Sequence, residues 1–285
     1  MTGVCASVWT MAGSAGPTVE RLFLKAERGA PMVEQRAGLE LVYRSGIGGD
    51  VHRHPLGPRQ VLLVAAEVQE QLGLAPDALR ANIITRGIPL DDLESGTVLS
   101  LGAQASVRLT HRCEVCSHLG RLSGIDDLRG LHGRRGYLAV VIASGRVEVS
   151  DSVGVGNVEY ARVPDHVAAR ALWVIRQIPS GRVVPFTMLV QLVGAPRGYL
   201  RALPRLVQAA AHRGLPAHRV VASSGALLDY VPEQLERLTL EGVSCADGQV
   251  LSVARLTWRP HGLYLRSGRS MRAAGQRTMQ LPAAA

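Results

Sequence analysis

Cys113 and Cys116 stand three positions apart, with His111 and His118 on either side of them. A thiolate there could carry persulfide sulfur, hold molybdenum or bind a softer metal. A zinc site would ask for a second pair of ligands some way off, which His52 and His54 could supply only if the fold brought them close. Cys5 and Cys245 complete the four cysteines. The first residues contain no basic n-region of the secretory kind, so the cysteines are expected to be thiols in a cytoplasmic protein. Three readings of the pair remain open at this point: a cofactor or sulfur site, a zinc or redox pair, and inert thiols in a fold.

Charge divides the chain. Residues 1–163 hold 17 Lys and Arg against 17 Asp and Glu, residues 164–258 hold 10 against 6, and residues 259–285 hold 5 arginines and no acid. The net +9 therefore lies wholly beyond residue 163, as expected of a C-terminal half that meets a polyanion. Arginine supplies nearly all of it, because Lys25 is the single lysine. No run of 18 apolar residues occurs, which argues against a membrane-spanning segment.

The elements that must position these residues fall into two styles. Short strands are predicted at Val19–Leu24, Leu39–Tyr43, Asn82–Thr85, Thr97–Leu101, Ala105–Thr110, Tyr137–Ala143 and Arg146–Val149, separated by Gly, Pro, Asp and Ser, a pattern that favours a β-barrel. Between them, Arg59–Leu72 has apolar residues at helical spacing and Gly73 as a C-cap. Beyond Asn157 the pattern turns helical. A helix opens at Pro164-Asp165 and closes at Pro179-Ser180-Gly181, a second covers Thr187–Val193, and a third covers Gly198–His212, strained early by Pro204. The Gly194-Ala195-Pro196 turn makes the last two a helix-turn-helix candidate. Residues 1–18 are expected to be a disordered leader, 157–163 a linker and 262–285 a basic disordered tail.

The first style carries a resemblance. Glu27-Arg28-Gly29-Ala30-Pro31-Met32, Gly49-Asp50-Val51-His52, Arg59-Gln60-Val61-Leu62-Leu63, Leu79 through Gly87, and Cys113-Glu114-Val115-Cys116-Ser117-His118-Leu119 resemble, in order, the motifs of the MOSC domain. The resemblance covers 19–156 and implies a mostly β, barrel-like α+β domain. It also implies a site that can hold sulfur or molybdenum cofactor. Cys116 matches the family's cysteine, and Cys113, His52 and Arg86 lie in the matched stretches. The histidine loop departs from the family in reading His52-Arg53-His54.

The second style resembles the DNA alkylguanine alkyltransferases over 164–261. Pro179-Ser180-Gly181-Arg182-Val183, Gly194-Ala195-Pro196-Arg197, Pro216-Ala217-His218-Arg219-Val220-Val221-Ala222-Ser223-Ser224-Gly225 and Leu240-Glu241-Gly242-Val243 match in order and spacing. The family's nucleophilic cysteine is replaced by Ala217, and a methyl side chain cannot accept an alkyl group. This is the pattern of the alkyltransferase-like proteins. It implies an α-rich winged helix-turn-helix domain that binds the DNA minor groove, flips an alkylated guanine and transfers nothing. Phe186 matches the tyrosine that rotates the nucleotide, without its hydroxyl. Arg201 matches the arginine that fills the stack after a one-residue insertion, with Arg197 and Arg205 as the other candidates. Tyr230 matches the aromatic that flanks the base pocket, Arg219 the arginine supporting the pocket loop, and His218 and Glu241 the residues that activate the missing thiol.

The resemblances imply a non-catalytic reader of alkylated guanine in double-stranded DNA that flags damage to nucleotide excision repair proteins. The competing readings are a molybdenum-cofactor or sulfur-transfer enzyme with a DNA-targeting module, and a plain transcription regulator. Metal analysis separates the first competitor from the reader. Comparison of modified and unmodified duplex separates the second.

Overall fold

The computed structural model of the chain describes residues 16–115, 119–120 and 128–267. Fifteen strands lie among them, and the N-terminal eleven build one curled domain. They are β1 (Thr18–Leu24), β2 (Val33–Glu34), β3 (Leu39–Val42), β4 (Gly46–Ile47), β5 (Val61–Ala65), β6 (Ile83–Arg86), β7 (Thr97–Leu101), β8 (Ala105–Arg112), β9 (Tyr137–Ala143), β10 (Gly145–Val147) and β11 (Val153–Val158). Eight form a mixed sheet in the order β11-β7-β8-β9-β5-β6-β1-β2, and β10-β3-β4 form a smaller one. The curl brings β1 back towards β11: Val19 donates its N–H to Asp151 O, and Val153 donates to Pro17 O, both at 2.8 Å. The predicted barrel is thus a curled sheet, mixed because β5 and β6 run parallel.

That parallel pair corrects one expectation. The helix predicted over Arg59–Leu72 is strand β5 followed by a short helix, α1 (Ala66–Gln71). All five residues of β5 are buried. A strand covered on both faces carries apolar side chains at every position, so its sequence looks the same as a buried helix. Two layers of apolar side chains explain the cover. Leu22, Leu41, Ile47, Leu63, Leu99, Val107 and Val141 pack inside the curl. Leu62, Val64, Leu79, Cys113, Leu131 and Leu138 pack outside it.

The C-terminal domain is built from α2 (Val167–Ile175), α3 (Phe186–Val193), α4 (Leu203–Ala211), α5 (Gln234–Leu240) and α6 (Val253–Leu256). Small strand pairs, β12 (Val184–Pro185) with β13 (Val220–Val221) and β14 (Cys245–Ala246) with β15 (Gln249–Val250), tie the helices together. The apolar faces of α2, α3 and α4 meet through Ala171, Val174, Leu189, Leu192, Leu203 and Val207. The strain expected from Pro204 is avoided. The chain makes a separate 3₁₀ turn over Arg197–Arg201, and α4 starts afresh with the proline in its first turn, where no N–H is required.

Both expected flanking segments are partly structured. Residues 157–163 include the end of β11 and the buried side chains of Ala161 and Val163, so this stretch is packed. Leu263 and Tyr264 are likewise buried in the C-terminal core, beside Trp173, and the Tyr264 hydroxyl donates to Leu192 O. The remainder of the expected tail, and residues 1–15 of the expected leader, lie outside the described residues.

The two domains share a buried junction. Val140 on β9 and Leu56 belong to the C-terminal core. Arg170 on α2 is fully buried, and its guanidinium donates to Pro164 O (2.8 Å), Asp165 O (2.5 Å), Val193 O (2.7 Å) and the Glu114 carboxylate. Glu114 also receives Arg59 Nη1 at 2.9 Å, and that same nitrogen lies 3.2 Å from Gly194 O. Gly194 closes α3 with φ +68°, and a Cβ there would stand 2.5 Å from Pro58 Cγ. Only glycine suits both the left-handed backbone and that contact.

Candidate functional site

The 3₁₀ turn over Ala217–Arg219 carries the segment that is short of a nucleophile. Ala217 is buried at 1% exposure, between the C-terminal end of α4 and the stretch leading into α5. Above it opens a cavity of about 90 Å³, walled by Ala211, His212, Leu215, Ala217, His218, Val231, Pro232 and Arg237. Apolar and polar surface share that lining about equally, the polar part including the imidazoles of His212 and His218 and the guanidinium of Arg237. Beneath it, Glu241 is a hub. Its carboxylate lies 2.9 Å from His218 Nε2 and accepts from Arg219 Nε at 2.9 and 3.0 Å, from Arg219 Nη2 at 2.5 Å and from Gly181 N–H at 3.1 Å. Arg219 also donates to Ile178 O at 2.6 Å, which stitches the loop to the end of the α2 region.

The hub has a predictable electrostatic consequence. Burial opposes charge on Glu241, but hydrogen bonds from Arg219 and His218, then Gly181 N–H and the Arg219 charge, outweigh it and hold the carboxyl at about 2. A carboxyl lowered on folding stabilises above its ordinary value of 4.5 and loses that stabilisation as pH falls towards 2. Glu241→Gln should therefore cost about 2–3 kcal/mol near neutrality, with the gap to wild type narrowing between pH 4.5 and 2. Urea melts at stepped pH read this directly, and parallel curves for both proteins would refute it.

His218 has one nitrogen on Glu241, while its Nδ1 is buried without a hydrogen-bond partner. The Tyr230 hydroxyl is buried without a partner as well. Burial, and secondarily Asp229, push that phenol upward, so it stays protonated and can donate. Tyr230 does not line the cavity itself but follows Leu228 into the core beside Val231. Phe186 opens α3, half-buried against the same core. Arg201 and Arg205 are exposed at the end of the 3₁₀ turn and on α4, and among the described residues neither has a carboxylate partner. Arg197 opens the 3₁₀ turn, and its side chain lies outside what is described.

Two family models match the chain. The MOSC domain covers residues 54–154, and the DNA binding domain of 6-O-methylguanine DNA methyltransferase covers residues 166–243. The chain is a fusion of a MOSC domain and an alkyltransferase-like DNA-binding domain. Among solved structures, the fusion is similar to the YUAD protein of Bacillus subtilis at 21% identity and a TM-score of 0.44, over 49% of this chain and 94% of that one. Similarity to YiiM from Escherichia coli is 19% with a TM-score of 0.38, over 66% and 91%. S. pombe Atl1, in complex with damaged DNA containing O6-carboxymethylguanine, matches at 25% with a TM-score of 0.30, over 33% and 95%. No curated protein matches the chain.

In the MOSC half of the fusion, no contact joins Cys113, Arg86 and His52 among the described residues. Cys116 lies outside the described residues. Cys113 is buried among Leu62, Leu119, Leu131 and Leu138, its Sγ 3.8 Å from Arg59 Nη2. Arg86 is engaged by the carboxylates of Glu20 and Glu70. His52 is exposed and leans on Asp50 Oδ1 at 3.1 Å. No group of three or more His, Cys, Asp or Glu suited to a metal occurs among the described residues. Sequence reasoning passed over a different set. Lys25 is buried, and its pKa is lowered by burial and then by the charge of Arg80, with Arg28 adding to this and Asp50 opposing it. Arg80 adopts φ +58°, an unusual conformation for arginine. Asn82 ties this corner together, donating to Asp50 Oδ2 at 3.1 Å and accepting from Leu62 N–H at 3.0 Å. Two guanidiniums, of Arg28 and Arg80, beside one buried lysine suit an anionic group, whereas Cys113 and Arg86 as placed do not. The signal was present in sequence as the single lysine.

No helix among the described residues is long and apolar enough to cross a membrane.

Proposed function

We propose that the C-terminal domain binds duplex DNA and reads an alkylated guanine without transferring the alkyl group. The observation that carries this reading is the cavity over Ala217, with the His218–Glu241–Arg219 hub intact beneath it and no thiol to serve. The apolar part of the wall suits an alkyl substituent, and His218, which lines the cavity and keeps Nδ1 unpartnered, offers a polar group to a base edge. On this reading α3, the Gly194–Pro196 turn and α4 act as a winged helix-turn-helix in the minor groove. Phe186 is the wedge, and Arg201 fills the gap left by the flipped base, with Arg197 and Arg205 nearby. Flipping costs a few kcal/mol, which a cation in the stack and contacts to the extruded base recover. Such a complex would mark the lesion for nucleotide excision repair.

Binding of matched duplexes with and without an O6-alkylated guanine, at stated salt, tests the reading. The modified duplex should bind more tightly, and a radiolabelled methyl group on the guanine should stay on the DNA. Arg201→Ala should cost about 1–3 kcal/mol on the modified duplex and less on the plain one. Equal affinity for both duplexes, or label on any residue of the protein, overturns the reading. A silent Arg201→Ala beside a damaging Arg197→Ala or Arg205→Ala moves the finger to that other arginine.

A second reading has its own observation, the Lys25, Arg28 and Arg80 cluster. These residues would hold the anionic end of a molybdenum cofactor, which when bound supplies oxygen-atom or sulfur chemistry. Protein from a host that makes molybdopterin should then carry pterin fluorescence, which Lys25→Ala and Cys116→Ser should each reduce. Absence of molybdenum, pterin and persulfide leaves the domain as a scaffold.

A further inference from the structure

We propose that the MOSC domain supplies a second phosphate-contacting edge to the duplex, formed by loop 51–59 with Arg44. This rests on the reading that α3 and α4 bind DNA. The loop is seated on the turn between those helices. A Cβ at Gly57 would lie 3.5 Å from Gln191 O, Pro58 packs on Gly194, and Arg59 Nη1 donates to Gly194 O at 3.2 Å. The seat is rigid, because Glu114 holds both Arg59 and the buried Arg170, and Arg170 in turn caps Val193 O. The loop therefore has a fixed position relative to the helices.

The edge carries cations that have no carboxylate partner among the described residues. Arg53 is exposed and donates to Ser45 Oγ at 2.6 Å. Arg44 stacks over the Tyr43 ring at 5.7 Å. Among the described residues neither arginine has a carboxylate partner. The two are held together, since His54 N–H donates to Ser45 O at 3.0 Å, and Arg44 lines a shallow groove with Pro55, Pro260 and His261 at the domain boundary. Exposed Arg259 and His261 continue the stripe on the C-terminal side. Residues 1–163 are neutral as a whole, so unpaired arginines here are a local feature. Pro58 lies five positions after Arg53, which is at most about 18 Å of chain. Over that length a duplex presents about ten phosphates. A duplex lying across the turn therefore brings phosphates within reach of this edge.

The test is a salt series on the full chain with a duplex of about 25 base pairs, modified and plain. Each lysine or arginine that neutralises a phosphate contributes about 0.9 to the slope of log K against log salt. The double variant Arg44→Glu/Arg53→Glu should flatten the slope by about two and weaken both duplexes equally, leaving their ratio unchanged. Arg53→Gln alone should flatten it by about one. Arg36→Glu, an exposed site on the loop after β2 at the far end of the large sheet, should leave it unchanged. A wild-type slope in both the double variant and Arg53→Gln overturns the proposal while the DNA-binding reading stands, and so does equal flattening by Arg36→Glu. Failure of the wild type to bind any duplex overturns both.

Discussion

Glu114→Ala should destabilise the chain by about 3–5 kcal/mol, the range for removing one partner of a buried ion pair. Arg170 is fully buried, and after this change its guanidinium keeps three carbonyl acceptors but no counter-charge. Its neighbours make matters worse. Arg59 loses the same carboxylate, and Arg108 is buried a short way along β8 with Nη2 on Ala161 O. His111, 3.9 Å from Glu114 in the intact protein, is completely buried, and both its ring nitrogens lack a hydrogen-bond partner. Burial, followed by Arg170, Arg59 and Arg108, holds its pKa far below the usual range, so it is neutral and cannot compensate. Glu114→Gln keeps an acceptor and the volume, and should fall between the two. Because the cluster joins the domains, the alanine variant should also unfold in two steps. A loss under about 1 kcal/mol in a single transition would mean that water reaches the cluster and screens it.

The second large effect is a gain. Ala217→Cys should turn a protein that accepts no label into one that accepts up to one alkyl group per chain. The hub that would serve a thiol is complete, since His218 is fixed by Glu241 and keeps Nδ1 unpartnered, and the cavity is already open over the Ala217 position. A neighbouring base lets a thiol become a thiolate. The introduced sulfur would form a bond to the alkyl carbon as that carbon's bond to the guanine oxygen breaks. The guanine oxygen keeps the electron pair, and the proton that His218 took from the thiol passes to the departing guanine. Mass spectrometry after incubation with a methylated duplex reads the transfer. Tight binding of that duplex with no adduct on the variant would show that the lesion sits out of line with the Ala217 position, and that loss of the cysteine was followed by a change of pose.

Much of the architecture was legible because its signals are local. The strands at Val19–Leu24, Thr97–Leu101 and Tyr137–Ala143 are runs of β-branched and apolar residues bounded by turn formers, and they appear where those patterns stand. Helix α3 ends at Gly194 because a left-handed residue is needed there, and glycine announces it. Strand β5 was misread because burial on both faces erases periodicity. The break at Ala202 before α4 escaped notice because a proline in a first turn and one inside a helix differ only by where the helix starts.

The sequence by itself determined the two modules, their order and the loss of the thiol, since each rests on residue identity and spacing along the chain. It also placed the positive charge beyond residue 163. Only the tertiary structure decided which groups meet. The pairing of Glu114 with Arg170, 56 positions later, and of Arg59 with Gly194 O, 135 positions later, leaves no pattern in one chain, because the partners are chosen by packing across a domain boundary. The same holds for the cations around Lys25, and for Cys113, which the curl of the sheet turns into apolar surroundings. Short-range preferences select elements at a cost of tenths of a kcal/mol per residue, whereas a buried charge costs several and finds its partner wherever the fold supplies one.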